Sequence, residues 1–300
     1  MNITLVGGTG FLGRALIGQW ERFSPGGWIR VLSRRKPGKP LPANAEWLAG
    51  SIMDPESLSR ALEGADAVFH LTGILAETRT QTYEKIHVEG TRNLIERAKA
   101  LGVRRAVYVS AIGASRDAVS RYHRTKFQAE DLFRWSGLDV TTFRPSVIFG
   151  PGDRFVSLFA AMGKKFHVLP VIGPGTNRIH PVYVGDLARA MALSAERPET
   201  IGRTYSIGGP RIYTYRELME TFIASLHLKA LILPQPPALL GLGATLQEWI
   251  LPVPFLTREM IKMALEDNIA MPNDLSLSFD LNPMGLEAYL ESDLYRRPAP

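Results

Sequence analysis

Asn2-Ile3-Thr4-Leu5-Val6-Gly7-Gly8-Thr9-Gly10-Phe11-Leu12-Gly13 is the stretch whose reading decides the fold. An apolar run over Asn2 to Val6 reads as a strand, and the pattern from Leu12 to Arg22 reads as a helix. Between them Gly7, Gly10 and Gly13 stand three apart. A pyrophosphate needs a tight turn, a backbone it can approach closely, and a helix N-terminus with unpaired N–H groups. The strand before the glycines and the helix after them supply the context that a bare glycine spacing lacks.

The same rhythm continues outward. Strands are expected at Trp28 to Leu32, Ala45 to Ala49, Ala65 to His70, Arg105 to Val109 and Val140 to Arg144, with helices at Pro55 to Glu63, Thr82 to Leu101 and Arg121 to Trp135. Strands separated by helices need crossover connections, so the fold class is α/β, a Rossmann-like doubly wound parallel sheet. After Gly150-Pro151-Gly152 the chain turns to proline- and glycine-rich loops with shorter elements. The expected division is a dinucleotide-binding domain over 1–150 and a smaller mixed C-terminal substrate or partner domain over 151–300. Residues 180–197 are expected to return to the first domain as a strand, Pro181 to Val184, and a helix, Asp186 to Ala195.

Composition narrows the chemistry. The 300 residues are 45% hydrophobic and 21% charged, which fits a globular chain. There is no cysteine, so a disulfide scaffold, a thiol nucleophile and a cysteine-ligated metal site are excluded. The six histidines show no metal-ligand spacing, and no metal is expected. The formal net charge of +6 has a local origin: Arg30, Arg34, Arg35, Lys36 and Lys39 fall in a stretch without a carboxylate. No basic stripe lies on a nucleic-acid-binding element, so no nucleic-acid partner is expected. An acidic residue after the second strand would bind the ribose hydroxyls of NAD, but Ser33-Arg34-Arg35-Lys36 stands there. Guanidinium groups fork onto a phosphate, so the expected cofactor is NADP(H), with NAD(H) the alternative.

The N-terminus runs from Met1 to Val6 straight into glycines, without the basic region and cleavage site of a secretory leader, and a cytoplasmic chain is expected. The segment 231–256 is apolar and carries Trp249 and Phe255, but Pro234, Pro236, Pro237, Pro252 and Pro254 interrupt it, so it is not read as a membrane span. It reads either as a lid on the small domain or as a docking face for a lipid, a quinone or a membrane complex, peripheral to the membrane.

Tyr122 and Lys126 are four apart on an expected helix and so share a face. A lysine ammonium beside a phenol favours the phenolate. Tyr122 then serves as acid or base toward a substrate carbonyl or hydroxyl while a hydride moves to or from nicotinamide, and Lys126 tunes it and holds the ribose.

These features resemble the extended short-chain dehydrogenase/reductase family, of the NAD(P)-dependent epimerase/dehydratase type, over nearly the whole chain. The motifs that carry the resemblance are Gly7 to Gly13, Ala67 to Gly73, Tyr122 with Lys126, and Phe143-Arg144-Pro145 leading into the small domain. The phrases Tyr205 to Gly209, Tyr213 to Leu218 and Leu256 to Glu259 resemble an atypical branch that includes the nucleotide-binding accessory subunit of respiratory complex I. The resemblance implies cofactor contacts from Gly7, Thr9, Gly10, Phe11, Leu12, Gly13, Ser33, Arg34, Arg35, Ser51, Ile52, Leu71, Thr72, Gly73, Tyr122, Lys126 and Pro145. It implies Ser110 as a third catalytic member, although Ala111 and Ile112 follow it where the family has hydroxyls. Ser51 stands where an adenine-contacting aspartate is usual, with Asp54 nearby as a substitute, and His87 where relatives carry asparagine. Arg154, Phe155, Arg178 and His180 fall where the resemblance places a substrate pocket, and Asp186 reads as a helix N-cap. Three functions follow: an NADP(H)-dependent oxidoreductase or epimerase/dehydratase acting on a lipophilic hydroxyl or carbonyl substrate, a non-catalytic subunit or assembly factor of a membrane complex, or a redox-sensing regulator.

Overall fold

A computed structural model describes residues 1–24, 26–251, 254 and 256–296. Pro252 and Phe255 of the apolar segment lie outside the described residues. The chain folds into two compact units, one of Met1–Arg144 with Leu187–Tyr205, the other of Pro145–Asp186 with the residues from Ser206 onward.

The first unit is built on β1 (Ile3–Val6), β2 (Ile29–Ser33), β3 (Ala45–Ala49), β4 (Ala67–His70), β5 (Arg105–Val109) and β6 (Asp139–Pro145). Their order in the sheet is β6-β5-β4-β1-β2-β3, with Thr204–Ile207 as the seventh strand beside β6. The five pairs among β1 to β6 are all parallel. Both neighbours of β1 are held in one register, with Leu5 opposite Val31 on one side and Phe69 on the other. Strand order reverses at β1 and β4, and the crevice beyond their carboxyl ends is where such sheets take ligands.

Helices α1 (Phe11–Phe23), α2 (Pro55–Leu62), α3 (Gly90–Ala100) and α4 (Arg121–Arg134) connect these strands. The apolar spacing that marked them as helices is the face each one buries: Leu16, Ile17 and Trp20 on α1, Leu94, Ile95 and Ala98 on α3, Ala129 and Phe133 on α4. Trp20 meets Phe69 of β4 edge-on, with centroids 5.6 Å apart. The helix expected from Thr82 is interrupted: a π-helical turn over Glu84–Glu89 precedes α3. Hydrophobic periodicity does not register such a local change of hydrogen-bond step.

Two long side chains tie the sheet to its helices. Arg105 is buried, and its guanidinium donates to the carbonyls of Ala195, Ser194 and Asp139 and to Thr141 and Thr200. Arg30, one of the basic cluster read from the sequence, donates to the carbonyls of Arg60, Ala61 and Glu63 at the end of α2 and pairs with Glu46 at 2.6 Å. A cation there complements the negative end of the helix dipole.

In the second unit, Val168–Ile172 pairs in parallel with Leu231–Gln235, and Arg178–Ile179 pairs antiparallel with Tyr213–Thr214. Phe149, Leu169, Tyr213, Phe222 and Tyr289 are among its core. The strand expected to rejoin the first domain, Val182–Tyr183, pairs here with Ile148–Phe149. The chain re-enters the first unit only at Leu187, inside the helix Val184–Glu196. Asp186 therefore lies in the first turn rather than at the N-cap, and its carboxylate accepts from the backbone N–H of Met284 at 2.7 Å.

Candidate active site

The glycine loop leaves β1 through Gly7, whose φ of +88° suits glycine alone; a Cβ there would also meet Thr72 Oγ1 at 2.9 Å. Gly13 is needed for a different reason, because a Cβ would lie 2.2 Å from the Gly8 carbonyl oxygen. Helix α1 starts with Gly10 as its N-cap, no side chain caps it, and no acidic residue lies in its first turn. Its leading N–H groups and positive dipole end are left for an anion.

These residues open onto a cleft of about 340 Å³ in the first unit, at the point where the strand order reverses. Of the residues read from sequence as cofactor-binding, Gly7, Thr9, Gly10, Ser33, Arg34, Arg35, Ser51, Ile52, Leu71, Thr72 and Gly73 line it. Phe11, Leu12 and Gly13 form the first turn of α1 behind the loop, and Pro145 ends β6. Val6, Leu32, Gly50, Ile74, Gln81 and Ile86 also line the cleft and carried no motif. The Gln81 side-chain amide lies against the Arg34 guanidinium. Ser33 Oγ accepts from Trp47 Nε1 at 3.0 Å and donates to the Arg35 carbonyl, shaping the turn that presents both arginines. Asp54, the expected substitute for an adenine-contacting aspartate, is not among the residues lining the cleft, and its carboxylate caps α2 by accepting from the Glu56 N–H.

Two buried histidines hold the other wall. The Thr72 N–H donates to His70 Nδ1 at 3.4 Å, and His70 Nε2 meets Thr91 Oγ1 at 2.9 Å. The Ile74 N–H donates to His87 Nε2 at 3.1 Å. A neutral ring that accepts at Nε2 carries its proton on Nδ1, so His87 donates to Thr125 Oγ1 at 2.9 Å. Burial first, and then the charge of Lys126, pushes His70 well below the usual histidine range and His87 down to about 2. Both rings are therefore neutral fasteners of the segment from Leu71 to Ile74.

Tyr122 and Lys126 lie on α4, which Ser120 caps by accepting from the His123 N–H. The Tyr122 ring packs edge-on against His87 at 5.5 Å and Tyr83 at 5.9 Å. Lys126 Nζ donates to the Val109 carbonyl at 2.6 Å, lies 4.6 Å from the centre of the Tyr108 ring, and would stand 3.9 Å from a Cβ on Gly73. The expectation that Lys126 holds Tyr122 toward the phenolate is not met. Burial raises Tyr122 to about 12, and burial lowers Lys126 to about 7 against the raising charge of Glu130. Ser110 is buried, and its Oγ has no hydrogen-bond partner among the described residues. Ala111 and Ile112 after it are buried hydrocarbon.

In the second unit, Arg178 is paired with Asp267 at 2.6 Å and Phe155 packs against Phe159 and Phe222. Arg154 precedes the helix Phe155–Phe166 and is exposed. His180 is buried and accepts the Ala270 N–H at 3.3 Å, beside an open cleft of about 670 Å³ that Arg211 and Asn273 also line.

The sequence matches the NAD dependent epimerase/dehydratase family over residues 3–208. It is 32% identical over 226 residues to the NADH dehydrogenase [ubiquinone] 1 alpha subcomplex subunit 9 of Arabidopsis thaliana, an alignment covering 72% of this chain and 56% of that protein. The chain thus spans little more than half the length of that relative. It is 29% identical over 252 residues to a ceramide reductase of Caulobacter vibrioides, covering 82% of this chain and 78% of that one. Among solved structures, a UDP-glucose 4-epimerase of Thermotoga maritima superimposes with a TM-score of 0.78 at 22% identity, covering 99% of both chains.

Proposed function

The chain belongs to the NAD dependent epimerase/dehydratase family, and from that membership we propose that its first unit binds a nicotinamide dinucleotide, NADP(H) in preference to NAD(H), for an oxidoreductase or epimerase reaction at a carbonyl or hydroxyl. The observation that carries this is the single cleft wall joining the glycine loop, the Arg34 and Arg35 turn, and Gly73 beside Lys126. The residues present fit the group: bare N–H donors for the pyrophosphate at Gly7 to Gly13, and two guanidinium side chains for a ribose phosphate. When bound, the nicotinamide supplies or accepts a hydride.

The side chains divide the remaining work. A phenol raised to about 12 is protonated at neutral pH, so Tyr122 donates its proton to a substrate carbonyl oxygen in the reducing direction and recovers one in reverse. Lys126, near its midpoint at about 7 and next to Gly73, binds ribose hydroxyls and supplies partial positive charge to the site. Ser110 Oγ, buried without a partner, is the remaining hydroxyl for orienting the substrate oxygen. The name of one relative, ceramide reductase, supports a lipophilic substrate.

A second reading, a subunit or assembly factor that keeps the nucleotide without turnover and contacts a membrane or membrane complex through 231–256, is favoured by the hydrocarbon at Ala111 and Ile112 and by the similarity to a complex I subunit. Tyr122→Phe separates the two. With a panel of lipophilic ketones and alcohols, parent turnover that the variant loses by about 100-fold or more supports catalysis. Stoichiometric dinucleotide binding with no turnover in the parent supports the second reading.

A further inference from the structure

The helix Pro237–Ile250 carries its apolar face outward. Leu240, Gly241, Ala244, Gln247 and Glu248 are buried or half-buried, as expected of one packed stripe. The opposite stripe, Leu239, Leu242, Leu246, Trp249 and Ile250, faces solvent, with Leu242 72% and Trp249 87% exposed. The strand before it, Leu231–Gln235, also exposes Leu231 and Leu233 on one side. Exposed apolar side chains also lie where that strand begins. Leu231 N donates to the His167 carbonyl at 2.9 Å, and His167 Nδ1 meets the Lys229 carbonyl at 2.7 Å. These bonds bring the end of the helix Phe155–Phe166 against the start of that strand, adding exposed Phe166 with Lys165 Nζ 5.4 Å from its ring centre.

Charge identifies the occupant. No carboxylate occurs from Arg154 to Gly185 or from Thr221 to Gln247, whereas Lys164 and Lys165 precede the exposed Phe166, Lys229 lies two residues before the exposed Leu231, and the three form no ion pair among the described residues. The one acidic residue on the outward helix, Glu248, is paired with Arg258 at 3.0 Å. A second copy of the chain would set lysines against lysines, whereas an anionic bilayer neutralises them. A helix of 14 residues is about 21 Å long, short of the ~30 Å hydrocarbon core, so it lies in the interface rather than crossing it. We infer that this face docks on an anionic phospholipid bilayer, with the Leu239 to Ile250 stripe at the acyl boundary and Lys164, Lys165 and Lys229 at the headgroups. The inference rests on the reading of 231–256 as a contact surface and deepens it by choosing lipid over protein; it is independent of the cofactor assignment.

Co-sedimentation of the full chain with phosphatidylcholine vesicles, with and without phosphatidylserine, tests it. The protein pellets with the anionic vesicles, and raising the salt releases it. The triple variant K164Q/K165Q/K229Q loses roughly fivefold in partitioning per lysine on anionic vesicles and little on neutral ones. The L242S/W249S variant loses about tenfold or more on both. Dinucleotide titration of the same samples shows that the variants are folded and reports separately on the cofactor site. A parent that stays in the supernatant with anionic vesicles overturns the inference, as does lysine-independent binding to both vesicle types. So does a dimer, seen by light scattering, that L242S/W249S converts to monomer, since a second copy then covers the face.

Discussion

Replacing Lys126 by methionine makes the protein more stable at low pH while removing its activity. Burial lowers this lysine from 10.5 to about 7, whereas in the unfolded chain it keeps its ordinary value. Below pH 7 it is charged in both states, and folding carries the whole cost of burying the charge, ~5 kcal/mol at about 1.4 kcal/mol per pH unit. Between pH 7 and 10.5 the unfolded chain holds the proton that the folded chain has released, so this contribution to stability rises with pH across that window. From pH 6 to pH 9 the rise is ~3 kcal/mol. Methionine keeps the length and removes the titration, but it strands the Val109 carbonyl that Nζ satisfies, costing ~1–3 kcal/mol at every pH. Lys126→Met is therefore expected to gain stability at pH 6 and to lose about 3 kcal/mol of its advantage by pH 9. Urea unfolding of dinucleotide-free parent and variant at the two pH values measures this. A difference between them that does not change with pH refutes the assignment of a buried, depressed lysine.

Other perturbations follow from the same geometry. Gly7→Ala places a Cβ against Thr72 at a φ of +88°, and it weakens dinucleotide binding by about tenfold or more; Gly102→Ala, at a φ of +74° with open space around it, costs ~1 kcal/mol of stability and leaves binding unchanged, as calorimetry on both variants reads. Arg105→Met removes the guanidinium donor of the Ala195 and Asp139 carbonyls, while the Ser194 carbonyl keeps the Thr200 hydroxyl and the Arg197 N–H; stability falls by about 3 kcal/mol or more, seen as a fall in Tm, and a Tm within a degree or two of the parent's contradicts the role assigned to that guanidinium.

The parts of this molecule legible in its sequence are those set by local pattern. The bounds of β3 and β5 are the ones read from Ala45 to Ala49 and Arg105 to Val109, because each is a short strand run closed by loop residues. The glycine loop was legible because a turn, a close approach and a helix start must follow one another in the chain. What escaped depends on partners distant in sequence. Arg30 belongs to a cluster of cations by sequence, but the end of α2, thirty residues on, takes its guanidinium. Gln81 has no motif, and only the fold brings its amide to Arg34. The spacing of Tyr122 and Lys126 gave the shared helix face, yet the sign of the shift at Tyr122 follows from desolvation, which spacing does not encode. The outward face of Pro237–Ile250 was legible as apolar but not as exposed, since periodicity gives a stripe without saying which way it points.

Everything proposed for the cleft depends on its choice of dinucleotide, which isothermal titration of NADPH and NADH at one fixed salt concentration measures. The arginine turn predicts that NADPH binds about 10–100-fold more tightly than NADH to the parent, and that the R34A/R35A variant loses this margin by weakening NADPH alone. Equal or tighter binding of NADH by the parent, or a margin that survives in R34A/R35A, would contradict it.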